Sequence, residues 1–413
     1  MNPNETFDRL ARRIEQFRDE MVDLQVRLCA IPAIAPSSGG EGEAKKADFL
    51  IDFLKVNGFV DVALIKAPDL DTPAGYRPSV LAYYRGKSSA RTTWIMTHTD
   101  VVPPGELSLW HANPYKAWVE KGRVYGRGVE DNQQDMVASL FAVKALRDER
   151  IVPNYDIGIA LVADEETGSR KGIDYVIQNH KIFRKQDLII VPDAGNAAGM
   201  MIEVAEKSIL WLKFKVEGKQ GHASMPHTAK NALEAGVELA YRVNKELKAT
   251  MTERDELFDP PISTFELTMK VANVANINTI PGEDIFFMDC RVLPERSTDE
   301  VLDTVRKVMK QVGDKYGTTI HLSLAQNERA APRTDPESRV VQLLSEQVRQ
   351  VLNVEPRVYG IGGGTCAAYF RKKGFDAAVW GKIDEVAHSA NEYTWIQNIV
   401  DMTKVFALMM LRA

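Results

Sequence analysis

The stretch Ile157–Gly168 sets Asp164, Glu165 and Glu166 directly after an apolar run. That run is long enough for a strand and far too short to cross a membrane. Two adjacent glutamates at the end of a buried strand repel each other and resist desolvation. A bound cation offsets that cost, as does a proton shared in acid–base work; a solvated turn avoids it. Residues of similar type recur along the chain. His98 and Asp100 end a second apolar run with one residue between them. That spacing lets a histidine ligate a metal while the acid orients its imidazole. Asp131 follows Arg127-Gly128 and, taken alone, reads as a helix N-cap. Asp193 follows a third apolar run and, taken alone, suits a turn. His388, within Glu385–Glu392, is ambiguous by itself. As a set, two histidines and several acids fall at or near strand ends that a parallel sheet brings to one edge, where open α/β sheets bind ligands. Nitrogen and carboxylate donors without thiols suit zinc, with manganese or cobalt as alternatives.

The elements that must position these residues follow from periodicity. Residues 5–28 read as one amphipathic helix, with Phe7, Leu10, Ile14, Phe17, Met21 and Leu24 at three- and four-residue spacings. A Pro/Ser/Gly loop and a second helix over 42–56 follow, the latter stopping at Asn57-Gly58. Strands are expected at 61–66, 79–84 and 92–97, the last leading into His98. A long loop over 101–122 precedes a helix that ends near Arg147. Strand 187–191 runs into Pro192-Asp193. The short run before Asp164 reads as a strand buried on both faces of a parallel sheet. This alternation describes an α/β sheet domain. Past about Lys207 the pattern becomes β-α-β-β-α-β, a ferredoxin-like arrangement. The α/β pattern returns from about Pro336. The expected organisation is therefore a sheet domain over 1–207 and 329–413 with a smaller domain, 208–328, inserted into it.

Composition narrows the class. The 413 residues are 45% hydrophobic and 26% charged, with a net charge of −5, so a globular protein is expected and neither a polyanion nor a membrane surface is an obvious partner. Cys29, Cys290 and Cys366 are odd in number and far apart, which argues against a disulfide framework and for a reducing compartment. The first twenty residues are too charged for a signal peptide. A cytoplasmic location is the expectation.

The motifs Met96–Asp100, Tyr125–Asp131, Asp164–Gly168, Pro192-Asp193, Gly221–Ser224 and His388 occur in the order found in the M20 family of co-catalytic zinc hydrolases, and the chain resembles that family over nearly its whole length. The family includes acetylornithine deacetylase, succinyl-diaminopimelate desuccinylase, aminoacylase and glutamate carboxypeptidase. The resemblance implies an α/β zinc-hydrolase sheet domain with an inserted ferredoxin-like lid and dimerisation domain. It implies two zinc ions, with Co2+ or Mn2+ as substitutes, bridged by Asp131. Glu166 and His388 would complete one site, and His98 and Asp193 the other. Glu165 would be the general base and Asp100 would steady His98. His222 would reach a neighbouring subunit's site in a homodimer and donate to the oxyanion. Asn278 and Arg291 would hold substrate polar groups and a carboxylate, for which a guanidinium is suited. The amides of Gly363, Gly364 and Thr365 would add an anion pocket. The peptide after Asp131 would be cis. One departure stands out: the family often continues with Asn-Lys-Gly, whereas Asn132, Gln133 and Gln134 follow here.

The activity so implied is hydrolysis of the amide bond of an N-acyl amino acid or a short peptide. Deacylase and dipeptidase readings share the same chemistry. A non-catalytic metal-binding scaffold predicts loss of the base or of a ligand, yet Glu165 and all five ligand positions are present. A two-metal phosphoesterase needs more cationic groups near the metals than the sequence supplies.

Overall fold

The computed structural model describes residues 3–413. It divides into two compact units: residues up to 204 with 333–358 and 365–413, and residues 205–332 with 359–364. Its fold is mixed α/β with a large sheet.

Six strands of the eight-stranded sheet in the first unit set the site, in the spatial order Val60–Pro68, Tyr76–Tyr84, Tyr155–Val162, Ser88–His98, Leu188–Gly195 and Ala377–Gly381. The expectation of a parallel sheet needs correction. Tyr155–Val162 runs parallel to Ser88–His98 but antiparallel to Tyr76–Tyr84, which is itself antiparallel to Val60–Pro68. A parallel return needs a crossover of a dozen or more residues, and the links at 69–75 and 85–87 are too short to supply one. The parallel centre is buried on both faces, as its apolar runs require: Ile157, Ile159, Leu161 and Val162 are 0% exposed. One face carries Trp94, whose ring packs edge-on against Tyr83 and Phe183 at 5.1 and 5.0 Å. A Cβ on Gly158 would come within 2.2 Å of that ring, so only glycine fits there.

The expected single amphipathic helix is two, Pro3–Gln16 and Arg18–Cys29. The break falls at Phe17 (φ −87, ψ 1). No proline or glycine marks it. The buried Phe17 ring instead packs edge-on against Phe141 at 5.4 Å with Lys144 over its face, so tertiary packing sets the break.

The second unit has four antiparallel strands in the order Thr264–Lys270, Glu283–Val292, Ser208–Glu217, Thr319–Glu328. Leu210, Leu212, Phe214 and Val216 alternate along one strand and form its core with Val305 and Leu239 of two helices, Thr298–Tyr316 and Ala232–Thr250. Both helices are capped: Asn231 caps one, and a Ser297/Glu300 capping box opens the other, which left-handed Gly317 closes.

Candidate active site

Parallel register puts the ends of two strands side by side: His98 pairs with Val162. The Thr99 amide and hydroxyl both donate to the Val162 carbonyl, at 2.8 and 3.0 Å. Asp100 then ties the two ends together. Its carboxylate accepts from the Glu165 amide at 3.2 Å and from the Glu166 amide at 3.0 Å. Its carbonyl lies 3.1 Å from His98 Nδ1, which leaves Nε2 to face outward toward other groups.

Asp131 does not cap a helix. It lies in an irregular turn between Gly128 and the helix Gln134–Asp148, and its peptide to Asn132 is cis. Fully buried Glu392 holds that turn. It accepts from the amides of Gly128, Glu130 and Asp131 at 2.9, 2.9 and 3.1 Å and pairs with Arg127 at 2.7 Å. Asn132 donates to the Pro192 carbonyl at 2.6 Å and to Asp193 Oδ1 at 3.3 Å, and accepts from the His98 amide at 3.3 Å. Glu130 accepts from the amides of Asp384 and Val386 at 2.6 and 2.7 Å and so fixes the loop that delivers His388. Glu392, Glu130, Arg127 and Asn132 carry no ligand signature in the sequence. Glu392 and Glu130 do stand inside motifs with candidate ligands, and that was their only signal.

Five of the candidate residues converge. Asp131 Oδ1 lies 2.8 Å from His98 Nε2, and its Oδ2 lies 3.1 Å from His388 Nε2. Asp193 Oδ1 is 3.5 Å from His98 Nε2, and Glu166 Oε2 is 3.1 Å from His388 Nε2. The result is two overlapping groups, His98–Asp131–Asp193 and Asp131–Glu166–His388, each with donor atoms within 4.8 Å of one another. Glu166 Oε1 is buried with no hydrogen-bond partner. A nitrogen–carboxylate donor set with one carboxylate shared and one oxygen unpaired fits divalent cations of the zinc type.

The electrostatics match. Burial opposes ionisation of Asp131, but hydrogen bonds from His388 and His98 hold its carboxyl below the ordinary range. Burial also opposes charge on His98, yet Asp100, Asp131 and Asp193 raise its pKa well above the usual value. Asp131 and Glu166 push His388 up to about 10. Burial, with repulsion from Asp131, pushes Glu166 up to about 7. Glu165 stands outside both groups, and burial followed by repulsion from Asp193 raises its carboxyl well above the ordinary range. A carboxyl with that environment is suited to taking up a proton.

The remaining candidates are placed as follows. In the second unit, His222 and Asn278 adjoin each other: His222 pairs with Thr279 in a two-residue ladder, and the Ala223 amide donates to the Asn278 carbonyl at 2.9 Å. Arg291 forks onto Asp289 at 2.8 and 3.0 Å and donates to the Gly362 carbonyl at 2.7 Å. Gly363 and Gly364 have open space where a Cβ would stand, apart from isoleucine methyls at 3.9 Å. Thr365, in the first unit, is buried, and its hydroxyl accepts from the Ala367 amide at 3.1 Å.

A sheet domain that clusters two histidines and three carboxylates, with Glu165 adjoining them, presents a candidate metal centre. The chain belongs to peptidase family M20/M25/M40, whose model matches residues 94–412, and so is a metallohydrolase acting on amide bonds. It is 37% identical over 409 residues to an uncharacterized metallohydrolase of Methanococcus maripaludis, covering 94% of this chain and 98% of that one. A succinyl-diaminopimelate desuccinylase of Sulfurovum sp. is 29% identical over 75% of this chain and 80% of its own. Among solved structures, human carnosine dipeptidase 1 superposes with a TM-score of 0.78 at 17% identity, covering 98% of each chain; at that identity the likeness is one of fold.

Proposed function

We propose that this chain is a dinuclear zinc amidohydrolase that cleaves the amide bond of N-acyl amino acids or short peptides, with Glu165 as general base. The observation that carries the reading is the sharing of Asp131 between two ligand groups, with Glu165 beside them and bound to neither. His98, Asp131 and Asp193 would hold one ion, and Asp131, Glu166 and His388 the other, with cobalt or manganese as substitutes. Bound there, the ions would supply Lewis-acid polarisation of the scissile carbonyl and a lowered pKa for water. Glu165 takes the proton of the attacking water and passes it to the leaving amine nitrogen. Asp100 keeps His98 oriented. The name of the Sulfurovum relative favours an acylated amino acid as substrate. A dipeptidase or carboxypeptidase activity uses the same groups.

The 208–328 segment is proposed to be an inserted ferredoxin-like lid and dimerisation domain. Its strand order supports the first part of that reading. Support for a homodimer comes from an apolar edge: Leu267, Met269 and Val271, on and just after the outermost strand, are exposed, as are Val237 and Tyr241 on the helix Ala232–Thr250. Sheet edges are ordinarily guarded against such exposure. In that dimer His222 would serve the partner subunit's site as oxyanion donor, with Asn278, Arg291, Gly363, Gly364 and Thr365 holding the substrate's polar groups.

The experiment is a hydrolysis screen over N-acetyl and N-succinyl amino acids and dipeptides, with metal content measured alongside. Release of free amine that needs metal supports the reading, and a fully metalled protein inert to the whole panel contradicts it. The shared site has its own test. Glu165→Ala and His222→Ala are each expected to be nearly inactive, and co-refolded mixtures to regain about a quarter of wild-type activity by random pairing. No recovery would place His222 in its own chain's site or in none.

A further inference from the structure

Lys46 sits in the first turn of the helix Ala44–Val56, three residues after Glu43. Its side chain is 1% exposed and its Nζ has no hydrogen-bond partner. A buried ammonium in that state is costly unless buried opposite charge offsets it. Burial pushes its pKa down to about 8, while Cys29, Asp100, Glu43 and Glu392 act to keep it protonated. Burial itself pushes the Cys29 thiol up to about 11, so Cys29 is neutral at physiological pH. The three carboxylates remain. Glu43, Asp100 and Glu392 are at most 1% exposed.

Between them these carboxylates hold two backbone segments, 164–166 by Glu43 and Asp100 and 128–131 by Glu392. Glu43 accepts from the Asp164 amide at 3.2 Å. Asp100 accepts from the amides of Glu165 and Glu166, and Glu392 from those of Gly128, Glu130 and Asp131. Two of the three have an arginine in contact, Arg77 on Glu43 and Arg127 on Glu392. Among the described residues Asp100 has no such pairing with Lys or Arg; its one charged neighbour within ion-pair distance is His98. Lys46 is a further buried cation: it makes no hydrogen bond to any of the three, and its charge offsets theirs only through the low-dielectric interior.

We propose that Lys46 is a positioning residue: its buried ammonium offsets the charges of Glu43, Asp100 and Glu392, and thereby holds in place the two backbone segments that carry Asp131, Glu165 and Glu166. The link to catalysis rests on the function proposed above; the structural effect does not.

The test is amide hydrogen exchange on the metal-free protein, comparing wild type with Lys46→Met, which keeps the chain length and removes the charge. The amides of Gly128, Glu130, Asp131, Glu165 and Glu166 are expected to exchange about tenfold faster or more in the variant. The amides of Gly86 and Thr92, held by Asp156 and Asp187, serve as internal controls and stay unchanged. Zinc affinity, read by chelator competition, is expected to fall about tenfold, the scale of lost support behind metal ligands. On any substrate that the wild type hydrolyses, kcat falls with KM held. Adding Glu43→Gln, which removes one negative charge, is expected to restore part of the protection; a simple sum of the two losses would mean packing and would overturn the proposal. Wild-type protection in a folded Lys46→Met also overturns it. Should Lys46→Met not fold, Lys46→Arg keeps the charge and is expected to fold with wild-type protection; its failure as well would assign the position to shape alone and overturn the proposal. The exchange and zinc arms decide the role of Lys46 even if no substrate in the screen is cleaved.

Discussion

His98 is 2% exposed and engaged at both ring nitrogens, by the Asp100 carbonyl and by Asp131. His222 is exposed, and its Nδ1 is met by the amide and hydroxyl of the next residue but one, Ser224, at 3.2 and 2.8 Å. The same contrast runs through their surroundings. The histidine–carboxylate cluster of the first unit is held by buried carboxylates that grip backbone amides, so its geometry is set by the fold. Asn278 and the neighbouring Ile277 of the second unit are exposed, and Asn278 accepts a side-chain hydrogen bond from Asn276 at 2.5 Å. A preformed cluster of two histidines and three carboxylates is costly to desolvate, and a bound cation would offset that cost. An exposed histidine in a short turn is cheap, and its role depends on what comes to meet it.

That contrast can be broken or sharpened experimentally. The largest effect is expected from the cluster itself: stripping metal with a chelator abolishes hydrolysis, and zinc restores it. Activity that survives complete metal removal would contradict the reading. Next, Glu165→Gln lowers kcat by about a hundredfold or more, the scale of general-base loss, while metal content stays at the wild-type level; Glu166→Gln instead weakens metal binding. Steady-state kinetics paired with metal analysis separate the two. Third, His222→Ala lowers kcat by about a hundredfold, the scale of a lost oxyanion donor, and leaves zinc affinity and thermal stability unchanged because its side chain is exposed. A drop in stability would show that the second unit depends on this residue.

The remaining effect is one of pH and is read on metal binding rather than on turnover. Neighbouring carboxylates push His388 up to about 10 and, against the opposing effect of burial, raise His98 above its ordinary value, so the cluster favours protonated histidines. Metal must displace those protons, and zinc affinity is expected to rise with pH between about 6 and 8, by up to about tenfold per unit for each proton displaced. Chelator competition at three pH values checks this; a flat profile would mean the histidines are already neutral.

Part of the site was legible in the sequence, because His98 ends a strand, Glu165 and Glu166 follow one closely, and apolar runs mark strands. The run to Ala163 and the run to Thr97 place Glu165, Glu166 and His98 at or just past strand ends, as the structure has them. The mixed direction of the sheet was not legible, since a buried strand reads the same whichever way its neighbour runs. The break at Phe17 was hidden for a related reason: its cause is the Phe141 ring, over a hundred residues away in the chain. Glu392 and Glu130 were overlooked because a carboxylate that grips backbone amides has no side-chain partner whose spacing could betray it. Lys46 was invisible as well, for a lysine in a charged helical stretch carries no mark of being buried.

The central claim is that Asp131 is shared by two metal sites while Glu165 belongs to neither. Metal analysis of the wild type and of Glu165→Gln after zinc reconstitution, with turnover measured on the same samples, tests it most directly. The account predicts two zinc ions per chain in both proteins and turnover in the wild type alone. A chain that retains no zinc, or a Glu165→Gln variant that keeps near-normal turnover, would contradict it.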